Sequence, residues 1–451
     1  GEILGEQQPP QWIGKSTARK ARGGQGVQIG AFAHKAAVPP VVSFGLQPDD
    51  HFSETMKVAA KPLPNERPCA TDPDLAYVAE MMVKRRSVIT KARCEAVKAV
   101  GRLKHRWRSV TSFLRGKQQR TLRSVTRDRD IGLIPLLAVL MFWPDVLFAI
   151  HLIFGFPAVG HCEWSGVYPR REVSPAERLD IFGDAEDNNE RLKAKMRPGK
   201  DDDIIFTKSM QDVEKGFASE PVRLAQLESS LEVSKCRYIR RFVITQATGK
   251  SRIIDDAADG GQSDVSTDEN ALSFCSAIQP AHHIEAVQGY MKQAGEIWPQ
   301  GPEGKMQTAG EDWPDAYRYT PMNPTEAEAC IVIWWHPQWE CAVAQRYYGL
   351  LFGLPNAVTS FNRWSRLAEA MARRLLMVLM SMYFDDATMQ DWADSIHETQ
   401  RSVGEFMQLL GSPWASEKSQ PGDDSGDFLG LIHDLSDVQS GTIKFWPREA
   451  L

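Results

Sequence analysis

At 451 residues and 42% apolar composition, the chain is long enough for two or three domains with real cores. Its formal net charge of −5 removes any global argument for a polyanionic partner. Seven scattered cysteines, odd in number and never in a CxxC pair, argue against a disulfide framework or a cysteine zinc site and fit a reducing intracellular compartment, cytoplasm or nucleus.

Residues 1–75 are rich in Gly, Pro, Ala and Gln with little periodicity, and are expected to be disordered or loosely structured. The chain starts at Gly1 without a signal-peptide pattern, as a fragment would. Residues 76–130 have helical spacing and a basic surface. Lys84 to Arg129 is dense in Lys and Arg with very few acids, which suits a phosphate backbone, with His105 and Trp107 available for stacking. A solvated helical face accounts for the same pattern equally well.

Residues 131–235 read as a helical region. It opens on an apolar block, Ile131 to Gly160, interrupted by Pro135, Pro144, Asp145 and His151. An uncompensated Asp at mid-bilayer costs roughly 3 kcal/mol, so two buried helices broken near Trp143-Pro144 are expected rather than a membrane span. A further helix follows within Lys200 to Ser230, with Lys200 to Asp203 as a solvated loop.

Beyond this the period changes. Tyr238 to Thr245 and Ser251 to Ile254 are β-rich runs around a Gly-containing turn, and Ala327 to Gly349 reads as a second hairpin turning at His336-Pro337-Gln338. His282-His283-Glu285 suits a polar helix end better than a metal site. Phe361 to Met382 starts as a helix and passes into a strand before Tyr383. Hairpins mixed with helices indicate an α+β fold rather than alternating βαβ units.

That last strand ends on two adjacent carboxylates, Asp385 and Asp386, in SMYFDDATMQD. Two like charges after an apolar run are costly unless solvent or a cation compensates them. A two-metal site needs carboxylates from separate strands around ions about 3.5–4 Å apart. Upstream, EDWPDAY supplies Asp312; Asp391 reads as surface.

With these residues the chain resembles the reverse transcriptases, the RNA-directed DNA polymerases of retroelements. Asp312 with Tyr317 five residues on resembles the first palm motif, and GLLFGLPNAVTSFNRW (Gly349 to Trp364) the second. Tyr383-Phe384-Asp385-Asp386 matches the Y-x-D-D hairpin, Lys418 in LLGSPWASEKSQ the fourth-motif lysine, and Phe428-Leu429-Gly430 the primer grip. Gly249 to Asp256 is similar to the fingers hairpin, so the likeness runs roughly from Arg237 to Ile432.

The resemblance implies a right-hand polymerase with an antiparallel palm sheet flanked by helices, with fingers at 236–300, palm at 301–435 and the start of a truncated thumb at 436–451. It implies template-directed DNA synthesis, transferring dNMP to a primer 3′-hydroxyl, on an RNA or DNA template-primer with dNTPs. Asp312, Asp385 and Asp386 would hold two Mg²⁺ ions, or Mn²⁺. Tyr317 would lie under the sugar and exclude a 2′-hydroxyl, Lys250 and Arg252 would neutralise the triphosphate, and Arg240 or Arg241 could serve instead. Phe352 and Gly353 would floor the nucleotide, and Lys418 would either give a proton to the leaving pyrophosphate or simply sit on the surface. No membrane partner is implied, and the oligomeric state is left open. Some positions depart from the pattern: Leu350-Leu351 precede Phe352 where a proline is more usual, and Gly260-Gly261-Gln262-Ser263 replaces an asparagine. A catalytically inactive, nucleic-acid-binding remnant of a reverse transcriptase is therefore the alternative reading, and a structural α+β protein whose aspartates are incidental is the third.

Overall fold

The computed structural model describes residues 72–173, 180–231, 235–246 and 249–449, all within one unit, Asp72–Leu451; the expectation for the N-terminal region, up to residue 71, lies outside the described residues. The helices are α1 (Pro73–Lys84), α2 (Arg86–Lys117), α3 (Arg120–Val125), α4 (Leu133–Leu140), α5 (Val146–Phe154), α6 (Ala185–Lys193), α7 (Asp202–Glu214), α8 (Leu224–Ser230), α9 (Gln279–Ala294), α10 (Ala357–Leu376) and α11 (Ile396–Leu410). The strands begin with β1 (His161–Cys162), β2 (Val222–Arg223), β3 (Tyr238–Thr245), β4 (Ser251–Asp256), β5 (Thr267–Asp268), β6 (Met306–Asp312), β7 (Ile331–His336) and β8 (Cys341–Gln345). They continue with β9 (Leu379–Tyr383), β10 (Asp386–Trp392), β11 (Gln420–Asp423), β12 (Ser425–Phe428), β13 (Leu431–Asp434) and β14 (Lys444–Pro447). The fold is mixed α+β.

Local chemistry sets several boundaries. Asp72 caps α1 by accepting the Asp74 N–H at 2.9 Å, with Pro73 in the first helical position. Asp145 caps α5 through the Phe148 N–H at 3.0 Å, after Phe142 has turned the chain with a positive φ. Asp202 and Asp203, expected in a loop, instead form the first turn of α7, where carboxylates meet the positive end of the helix.

Two sheets dominate. The first is antiparallel with order β11-β6-β10-β9, and its register sets Asp386 opposite both Asp312 and Tyr383. Helix α10 packs on β9, and α11 packs on β6, β10 and β11, while α9 also touches β10. The second has order β2-β8-β7-β3-β4, with β3 and β7 parallel. The hairpin β7–β8 thus joins the strands at 238–256, so the boundary drawn at 300/301 does not separate two sheets. The chain builds β3 and β4, supplies β6 to the first sheet, returns for β7 and β8, and crosses again through α10. A third sheet, β12-β13-β14, contains Lys444–Pro447, so the boundary at 435/436 falls inside it.

Two expectations about burial need correction. Helices α4 and α5 form where the apolar block was broken, and no helix among the described residues is long and apolar enough to cross a membrane. They are not wholly buried, however. Leu133, Ile134, Leu137, Phe148 and Leu152 face the core, whereas Val139 is 67% and Val146 76% exposed, because short helices packed on one side cannot cover the other. Asp391, read as surface, is fully buried: it pairs with Arg93 of α2, itself fully buried, and accepts from Thr399 Oγ1. Arg93 completes its fork on the carbonyls of Leu376, at 3.0 Å, and Met377, at 2.6 Å. His283 is likewise inside, bonded to Ser381 Oγ at 2.9 Å and to Gln390, and burial pushes its imidazole down to about 3, so it is neutral. His282 and Glu285 remain a half-exposed i,i+3 pair at 3.1 Å.

Candidate active site

Strands β9 and β10 are joined by the two-residue loop Phe384-Asp385. Phe384 has φ +55°, in the left-handed region that a bulky side chain rarely adopts, and only this first loop residue does so. Neighbours hold it there: its ring stacks on Phe274 at 4.8 Å and its carbonyl accepts from Ser365 Oγ at 2.7 Å. The Asp385 carbonyl accepts the Trp313 N–H at 3.1 Å, which ties the loop to the end of β6. Asp312 and Asp386 are therefore directly opposed across the strands, with Asp385 at the tip beside them.

A cleft of about 460 Å³ opens in front of this hairpin. Asp385, Asp386, Tyr317, Phe352, Arg252 and Lys418 all line it. Asp312 joins the group through Lys418, whose ammonium it binds, and by standing opposite Asp386 in the strand register. Lys418 is carried there by a 3₁₀ turn that begins where the Ala415 N–H donates to the Asp312 carbonyl at 2.8 Å.

The charges in the cleft are under strain. Burial, then the charges of Asp385 and the facing Asp312, push the Asp386 carboxyl up to about 7. Burial also raises Asp385, with Asp312 adding to the effect and Lys418 and Arg252 opposing it. Burial draws Lys418 down, but its bond to Asp312 and the nearby Asp385 and Asp386 leave it above the ordinary lysine range.

The apolar wall is Tyr317, edge-on to Phe352 at 5.4 Å and against Phe361 at 5.0 Å. The Tyr317 hydroxyl is buried without a hydrogen-bond partner, and burial followed by the Asp385 charge raises its pKa. Gly353 does not line the cleft; it shapes the loop behind Phe352. Its φ is +112°, and a Cβ there would lie 2.4 Å from the Asp255 carbonyl oxygen, so only glycine allows this approach to β4.

Lys250 also stays out of the cleft; it lies just before β4, in the turn where its carbonyl accepts the Gln246 N–H at 2.9 Å. Arg240 and Arg241 are occupied elsewhere: Arg241 is buried on Asp255 at 2.7 Å, and Arg240 lies 3.6 Å from Asp259. Two charged residues of the cleft were not singled out in the sequence. Arg318 lies 3.4 Å from both Asp255 and Asp212, and Asp315, at φ +50°, pairs with Lys215. Their only signal was adjacency to Tyr317.

The donor chemistry suits a hard divalent cation, because clustered carboxylates raised by burial and mutual repulsion are what such an ion relieves. Among the described residues, however, no three His, Cys, Asp or Glu side chains stand ready as a ligand set for one ion, and a lysine occupies Asp312.

No family model matches the chain, and no curated protein matches it. Among solved structures it is similar to a foamy viral protease-reverse transcriptase in complex with dsDNA, at 12% identity and a TM-score of 0.35, over 61% of this chain and 46% of that one. It is also similar to the native Prototype Foamy Virus protease-reverse transcriptase, at 14% identity and a TM-score of 0.31, over 60% of this chain and 29% of that one. The chain thus spans less than half the length of these structures.

Proposed function

We propose that the chain is a template-directed DNA polymerase of the reverse-transcriptase kind, with the β6–β10–β9 sheet as its palm and the β3–β4 hairpin as part of its fingers. The observation that carries this reading is the register of Asp312 against Asp386, with Asp385 at the hairpin tip, at the mouth of a cleft that also holds Lys418, Arg252, Tyr317 and Phe352. Mg²⁺ or Mn²⁺, as a pair held by Asp312 and Asp385 with Asp386 adding charge, would supply activation of the primer hydroxyl and neutralisation of the triphosphate. Arg252 would meet the triphosphate from the opposite strand pair, and Lys418 would turn from Asp312 toward the leaving pyrophosphate. Tyr317 on Phe352 would support the sugar and leave no room for a 2′-hydroxyl.

One observation favours the alternative, an inactive nucleic-acid-binding remnant: the carboxylates do not stand as a ready ligand set, and Lys418 neutralises Asp312 in place of a cation. Primer extension on poly(rA)·oligo(dT) with dTTP and Mg²⁺ or Mn²⁺ separates the two. Extension by the wild type and none by Asp385→Asn supports the polymerase. Salt-dependent RNA binding without extension supports the remnant.

A further inference from the structure

Helix α2 carries ten lysines and arginines and a single acid, Glu95. Four of the cations serve the fold. Arg93 pairs with Asp391, and Arg86 lies over the Trp392 ring at 4.2 Å. Lys104 donates to the Leu409 carbonyl, and Arg115 to the carbonyls of Thr126, at 3.1 Å, and Arg129, at 2.6 Å. Lys91, Lys98, Arg102, Arg106 and Lys117 are instead exposed. At about 3.6 residues per turn they fall, with His105, within roughly a third of the helix circumference, in a stripe about 39 Å long. Among the described residues only Lys98 of this stripe makes an ion pair, with Glu95 at 2.9 Å.

Lys98, Arg102 and Arg106 stand four residues apart, so like charges are stacked on successive turns, which destabilises a helix. A row of phosphates removes that repulsion and releases its own counterions in doing so. Phe113 lies in the same stripe, 63% exposed, with the Lys117 ammonium 5.4 Å from its ring centre. An exposed ring within a cationic row is what an unpaired base stacks on. A lipid surface fits less well. A helix lying in one needs a row of apolar side chains, and Phe113 is the one large exposed hydrophobic residue of α2 between Lys91 and Lys117. Trp107, read in the sequence as a stacking partner, falls on the opposite side of the helix and is half-buried.

We infer that the outer face of α2 is a nucleic-acid site outside the cleft that takes a single-stranded segment, its phosphates along Lys91, Lys98, Arg102 and Arg106 and one base against Phe113. None of these residues lines the cleft at Asp385, and the site does not depend on the polymerase reading. Phosphate and ring contacts leave the 2′-hydroxyl unread, so RNA and DNA strands should bind alike.

The test is fluorescence anisotropy of labelled oligo(U) and oligo(dT) with the full chain over a range of salt concentrations. Replacing Lys98, Arg102 and Arg106 together by Gln should lower the slope of log affinity against log salt by about 2, three phosphate contacts at roughly 0.7 each. The charge-keeping triple Lys98→Arg, Arg102→Lys and Arg106→Lys should retain the slope. Neither triple should lower the melting temperature, since all three side chains are exposed and the glutamines relieve repulsion. Phe113→Ala should weaken oligo(U) by about fivefold or more and leave duplex binding unchanged. An unchanged slope in the glutamine triple overturns the inference, as does a slope lost with Arg252→Gln instead, which would put the strand in the cleft. Binding to phosphatidylserine vesicles with none to oligo(U) overturns it in favour of a lipid surface, and full oligo(U) affinity in Phe113→Ala overturns the single-strand assignment. No arm requires nucleotide incorporation, so failure here is distinct from failure of primer extension.

Discussion

Arg93 and Asp391 form an ion pair in which neither side chain is exposed, joining the long basic helix α2 to the strand that begins at Asp386. Removing one member would leave the other charged and dry. Arg93→Met or Asp391→Leu should each destabilise the chain by about 3–5 kcal/mol, whereas the double replacement Arg93→Met with Asp391→Leu should recover most of the loss. Urea unfolding of the three variants measures this; additive single losses in the double variant would contradict it.

The Asp386 carboxyl, held at about 7, makes stability depend on pH in a direction opposite to most paired carboxylates. Its folded pKa lies above the unfolded value, so the folded state holds the extra proton between roughly pH 4 and 7, and stability falls as pH rises through that window. In EDTA, Asp386→Asn should raise the melting temperature at pH 8 by roughly 2–4 °C and change it little at pH 4. Added Mg²⁺ should narrow the gap at pH 8, since a bound cation would offset the same repulsion.

If the chain extends primers, Asp385→Asn should lower the rate on the order of 100-fold or more. Tyr317→Ala should instead relax the choice between dTTP and UTP by roughly 10–100-fold, with a smaller effect on dTTP incorporation. Comparing kcat/KM for the two nucleotides tests this, and an unchanged ratio would remove Tyr317 from sugar recognition.

Gly353→Ala should cost more than about 2 kcal/mol, because a Cβ at φ +112° meets the Asp255 carbonyl. Gly404→Ala, on α11 with open space around it, should cost nothing or add slight stability. Thermal melts of the two variants make the comparison.

The pieces of the site that could be read from sequence were those set by local chemistry. The apolar run before Asp385 became β9, the turn residues became a hairpin, and Asp312 ended a strand. Asp391 could not be read because β10 is covered on both faces, by α9 and by α11, so inward and outward positions no longer alternate in polarity. Lys250 and Arg252 looked equivalent as two basic residues, yet only Arg252 lies within β4 and reaches the cleft. The membership of β7 and β8 in the second sheet was invisible for a different reason: a hairpin carries its own turn signal but nothing that names its partner strand.

That same partnership governs how the chain reaches its native state. Tyr238 must find Ile331, and Asp312 must find Asp386, before either sheet is complete. Such distant pairings are slow, because a long loop has to close before any contact rewards it. Until they form, β3 and β6 present bare edges, and those edges pair as readily with another copy as with their own distant partners. The back-and-forth path of the chain therefore ties the yield of refolding to concentration, because the competing pairing is between copies.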